Sequence, residues 1–152
     1  MNFACGLGIR YEASVLNKVP LNTTVPTGSR APDVLIRGPG SWTILIFVGY
    51  HAKTANLISA LRDNLSRNPK QRAKMLRLAT LIVSPVGNAW AAFDGAAVGG
   101  LYFDSDGSAH SKYDVSLTSG TIAIIHPDGI IGLATGLEEG EKATEYLDRI
   151  FI

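Results

Sequence analysis

The stretch Thr43-Ile44-Leu45-Ile46-Phe47-Val48 constrains the fold of this chain more than any other. It is uncharged and rich in β-branched and aromatic side chains, the pattern of a strand. Gly49 stops it, and within a few residues Leu57, Ile58, Leu61 and Leu65 recur at helical spacing across 54–66. Leu78 to Val83 then reads as a second strand of the buried type, ended by Pro85. A strand–helix–strand unit therefore forms the front of the regular part of the chain.

The rest of the chain divides around that unit. Residues 1–33 read as an extended N-terminal arm, punctuated by Pro20, Pro26, Gly28 and Pro32. A single domain spans 34–152, with Val34-Leu35-Ile36 strand-like ahead of the turn Gly38-Pro39-Gly40. Residues 86–100, rich in glycine and alanine, read as irregular, and Leu101-Tyr102-Phe103 leads into the turn Asp104-Ser105-Asp106-Gly107. A short helix is expected from Ala109 to Tyr113, with His110 and Tyr113 on the surface. Thr121–Ile125 and Ile130–Leu133 flank His126-Pro127-Asp128-Gly129, a hairpin signal in which Asp128 is a turn former. Glu138 to Ile152 reads as a closing helix, with Ala143, Leu147, Ile150 and Phe151 on one face. Glu138–Lys142 and Glu145–Arg149 are spaced as ion pairs on another. This order is the thioredoxin arrangement: an α/β fold whose mixed sheet is flanked by helices.

Composition narrows the function classes. A chain of 152 residues buries roughly 70% of its unfolded surface, enough for a core without disulfide or metal. A net charge of +1 does not suit general nucleic-acid binding, and the local basic run Arg67, Lys70, Arg72, Lys74, Arg77 reads as a solvated face. No stretch approaches the ~18 apolar residues of a membrane span. The start of the chain lacks the pattern of a signal peptide, and the single cysteine fits a reducing compartment, so a cytoplasmic location is expected.

Three segments resemble a known family. Gly6-Leu7-Gly8-Ile9-Arg10-Tyr11-Glu12-Ala13-Ser14 resembles the segment leaving the flavin domain of phenol-hydroxylase-like FAD-dependent aromatic monooxygenases. Gly28-Ser29-Arg30-Ala31-Pro32-Asp33 is similar to the opening of their C-terminal thioredoxin-like domain, and Leu117 to Gly132 resembles its Arg-Pro-Asp-Gly hairpin. His126 stands where that family usually has arginine, and Ile130 where an aromatic residue is common. The resemblance implies a thioredoxin-like domain that packs at a subunit surface, with homodimerisation or docking to a flavin-dependent monooxygenase as its role. It carries no flavin fingerprint and no catalytic residue, and no cofactor is expected.

The candidate chemistry starts at the strand–helix junction. In thioredoxin-like folds a Cys-x-x-Cys pair sits there; here it reads Tyr50-His51-Ala52-Lys53, and the one cysteine is Cys5. Disulfide exchange and two-cysteine peroxidase chemistry are thereby excluded, Cys5 on the arm is not the expected nucleophile, and a non-redox module is expected. His51 is the candidate acid or base, near a helix N-terminus where ligands bind. Tyr50 is a candidate for orienting an aromatic ligand, and His126 a second catalytic candidate expected near the same end of the sheet. Trp90 and Phe93 either line an apolar pocket against Tyr50-His51 or cap the core. The three histidines show no metal-ligand spacing, and Asp104 and Asp106 lack the pattern of a calcium loop. Two functions remain open at this stage. One is the non-redox dimerisation or docking module. The other is a cofactor-independent isomerase, cyclase or dehydratase acting on an aromatic or polyketide intermediate of specialised metabolism.

Overall fold

A computed structural model describes residues 41–66, 76–83 and 98–151. The expected arm at 1–33, the strand-like 34–36, and Cys5, Trp90 and Phe93 lie outside the described residues.

The apolar run becomes strand β1, Trp42–Gly49, and leads into helix α1, His51–Ser66, three residues earlier than its hydrophobic spacing suggested. Strand β2 follows at Leu76–Ile82 and strand β3 at Gly100–Phe103. Helix α2 spans Ser108–Lys112, and strands β4 (Thr121–Ile125) and β5 (Ile131–Gly136) form the hairpin. A 3-10 turn at Leu137–Glu139 leads into helix α3, Gly140–Ile150.

The five strands make one sheet in the order β3-β2-β1-β4-β5. β1 pairs parallel with β2 and antiparallel with β4; β3 runs parallel to β2, and β4 and β5 are antiparallel. This is the mixed sheet flanked by helices that the element order implied. β3 was not recognised as a strand in the sequence: it has four residues, and only its pairing with Ala79–Ile82 defines it.

Being central, β1 is buried on both faces, which is why its sequence is apolar without alternation. Ile44, Ile46 and Val48 pack with Ile58 and Leu61 of α1 and with Ala143 and Leu147 of α3. Leu45 and Phe47 point the other way, to Ala79, Leu81, Tyr113, Val115 and Ala123. At the hairpin, the His126 amide donates to the Ile130 carbonyl (2.9 Å) and the Gly129 amide to the His126 carbonyl (2.9 Å). Asp128 is a turn former, as its position indicated: its Oδ1 accepts the Ile130 amide at 3.0 Å. The β4–β5 register shifts between Ile124 and Ile125, so Gly132 is the extra residue of a bulge.

Candidate functional site

The β1–α1 junction is pinned from three directions. Gly49 closes β1 at φ 62°, a left-handed conformation, and a Cβ there would collide with the Leu117 carbonyl. Its amide donates to His110 Nε2 at 3.0 Å, and its carbonyl accepts the Val83 amide at 3.2 Å. The next amide, of Tyr50, donates to the Leu117 carbonyl at 2.8 Å. One turn into α1, the buried Thr54 hydroxyl donates to the Val48 carbonyl at 3.0 Å, tying the helix start back to the strand. Tyr50 itself stands out from this frame with its side chain 47% exposed. His51 is the first residue of α1.

Behind the junction lies a buried acid–imidazole pair. Asp104 follows β3, and its amide is held by the Ile82 carbonyl at 2.8 Å. Its carboxylate accepts the amides of Ala109 (3.1 Å) and His110 (2.9 Å) at the start of α2. The same carboxylate meets His110 Nδ1 at 2.7 Å. Because Gly49 donates to Nε2, that nitrogen carries the lone pair and the proton sits on Nδ1, facing Asp104. The ring lies edge-on to Phe47, with centroids 5.0 Å apart. Burial pushes His110 below its ordinary value, and the Asp104 carboxylate only partly offsets this. Burial alone would raise Asp104, but the bonds from the His110 backbone, the His110 ring and the Ala109 amide outweigh it and hold the carboxyl low.

His110 and Tyr113 were expected on the surface; both are buried, at 0% and 1% exposure. The reason is contact with distant residues, Gly49 and Phe47, which five residues of local sequence do not reveal. The available signal was an aspartate six residues ahead of a histidine across a helix start, a spacing at which one carboxylate can cap the helix and reach the ring.

His126 does not join Tyr50 and His51. Thr43 pairs with Ile125, so His126 sits beside the beginning of β1, whereas Tyr50 follows its end. There His126 Nε2 lies 2.9 Å from the Tyr146 hydroxyl, its ring centroid is 4.7 Å from Trp42, and Trp42 in turn meets Phe151 edge-on at 5.5 Å. Burial raises the Tyr146 hydroxyl far above its usual range, so it stays a neutral hydrogen-bonding group. Among the described residues, no group of three His, Cys, Asp or Glu side chains stands together as a metal site. No helix among them is long and apolar enough to cross a membrane.

No family model matches this sequence, and no curated protein matches it. Solved structures do. A Bacteroides thetaiotaomicron protein assigned as a protein disulfide isomerase superposes with a TM-score of 0.67 at 20% identity, covering 88% of this chain and 94% of its own. The fold is thioredoxin-like. A Chlorobium tepidum protein assigned as the thiol:disulfide interchange protein DsbE gives a TM-score of 0.60 at 20% identity, over 80% of this chain and 99% of its own. The bacterioferritin comigratory protein of Xanthomonas campestris, described for alkyl peroxide reduction, gives 0.53 at 14% identity, over 75% and 82%.

These matches correct the family reading. The thioredoxin-like proteins that this chain superposes on carry names from thiol–disulfide exchange and peroxide reduction, not from phenol-hydroxylase C-terminal domains. The short motifs behind the hydroxylase resemblance include a Pro-Asp-Gly turn that any hairpin can use. The non-redox docking module for a flavin hydroxylase is withdrawn with it. So is the cofactor-independent enzyme of aromatic or polyketide metabolism, which leaned on the same resemblance.

Proposed function

We propose that this protein acts in thiol–disulfide or peroxide redox chemistry, using a single thiol. The observation that carries the reading is the superposition, over most of both chains, on the proteins assigned to disulfide isomerisation and thiol–disulfide interchange. Cys5 is the only cysteine of the chain, so each step involves one protein sulfur. With a disulfide partner, the Cys5 thiolate attacks one sulfur; a new S–S bond forms as the old one breaks, and the partner's other sulfur leaves as a thiolate. An external thiol of the glutathione class then attacks the mixed disulfide and regenerates Cys5. With a peroxide, the thiolate takes the distal oxygen as the O–O bond breaks; the product is a sulfenic acid, and an alcohol or water leaves.

The β1–α1 end supplies the recognition surface in this scheme. The exposed Tyr50 ring offers a contact for a partner, and α1 begins directly after it. The lone cysteine also supports the cytosol as the working compartment, where unpaired thiols stay reduced.

The test is a rate. Purified protein is mixed with glutathione disulfide, or separately with hydrogen peroxide, and adduct formation is followed by intact mass. The expected result is one adduct per chain, formed about tenfold or more faster than on free cysteine at the same pH, and none on Cys5→Ser. A rate equal to that of free cysteine with both reagents overturns the reading.

A further inference from the structure

We propose that His110 is an acid-released latch on the β1–α1 junction: its neutral ring holds the Gly49 amide, and protonation of Nε2 lets that amide go. The inference stands apart from the redox reading, because it concerns what fixes the junction and not what reacts there.

The geometry leaves the ring only one comfortable state. Nδ1 faces the Asp104 carboxylate at 2.7 Å and Nε2 faces the Gly49 amide at 3.0 Å, with both His110 and Gly49 buried. A proton from solvent taken up at Nε2 sets N–H against N–H. Buried, that contact has no acceptor, so one of the two groups must turn away. The ring is the less free of the two. Asp104 binds it at Nδ1 and binds the His110 amide, the ring meets Phe47 in an edge-on contact, and α2 is anchored at Ala109 by the same carboxylate. The peptide of Gly49 is at the end of a strand, immediately before Tyr50 and the first turn of α1. Release at Gly49 therefore loosens the paired bonds next to it, from Val83 to the Gly49 carbonyl and from Tyr50 to Leu117.

The charged groups around the ring set the direction. From the β3–α2 loop, Asp104 faces it directly and favours the protonated ring. Asp106, in the same loop, is turned to the Ser108 amide at 3.0 Å. On α2 itself Lys112 is exposed, and after it Asp114 is exposed. β1 presents Phe47 and the Gly49 backbone, and the segment after α2 presents Tyr113 against Phe47. Burial opposes the charge, so the latch is closed at neutral pH and opens only on acidification.

The test uses the full chain, labelled with nitrogen-15. At neutral pH a nitrogen–nitrogen coupling across the Gly49 N–H···Nε2 bond is expected, and His110 Nε2 should show the shift of an unprotonated ring nitrogen. As pH falls below about 6.5, the ordinary histidine value, the coupling should disappear. The Gly49 and Tyr50 amide resonances should move with one midpoint, while those of Ala123 and Leu133 hold. His110→Gln keeps a neutral side chain that takes no proton in this range, so its Gly49 resonance should stay in place. The proposal is overturned if Nε2 is protonated at neutral pH. It is also overturned if Gly49 moves only when the whole spectrum is lost, or if a folded His110→Gln variant shows the same step. Should that variant not fold, the wild-type Nε2 shift and the Gly49 amide must still share one midpoint, and separate midpoints overturn it.

Discussion

Gly49 and His110 meet across 61 positions of sequence, through the hydrogen bond from the Gly49 amide to the His110 ring. At Gly49 the left-handed φ and the nearby Leu117 carbonyl both oppose a Cβ. Gly49→Ala should therefore cost about 2–4 kcal/mol of stability, strain and overlap together. Urea denaturation would read this; a loss under about 0.5 kcal/mol would mean that Leu117 yields easily. At the other end of the sheet, Tyr146→Phe removes the hydroxyl beside His126 Nε2 and should cost about 1 kcal/mol in the same assay. The sequence was informative about Gly49, because a strand ran into it and a helix followed. It was silent on His110, whose partner comes from β1. Tyr50 and His51 were legible as junction residues, but the expectation that His126 lies near them assumed a hairpin turn at the wrong end of β1.

Elements differ in how much they owe to their own residues. Helix α3 carries its reason in its sequence: Ala143 and Leu147 face the core, and both are buried. Leu147→Ala should cost about 2–5 kcal/mol, since α1, β4 and β5 around it cannot close the space fully. On its outer face Lys142 and Glu145 lie 3.8 Å apart and are about half exposed, so Lys142→Ala should change stability by about 0.5 kcal/mol or less. Thermal unfolding of the two variants side by side would check the contrast; equal losses would refute it. β1, the hairpin and α3 were readable because each is long enough for its own pattern to show. β3 was not, because four residues carry no period and its pairing with β2 is what makes it a strand.

The whole molecule should feel acid through the Asp104–His110 pair. Both groups sit below their ordinary values in the folded state, so the unfolded chain binds their protons first. Their contribution is full above the unfolded histidine value of about 6.5, falls as the pH drops below it, and falls again below the ordinary aspartate value near 3.8. The urea midpoint of the wild type should thus decline between pH 7 and 5, and His110→Gln should lack most of that decline; parallel curves would refute the assignment. The central place of β1 has a last consequence, during synthesis. β1 finds β2 on one side soon after both emerge, but Thr43 waits for Ile125 on the other. At roughly 5–20 residues per second, that leaves a nearly uncharged, β-prone edge open on the ribosome for several seconds. A nascent chain stalled before residue 121 should therefore engage holding chaperones, and one released with β4 and β5 in place should let them go.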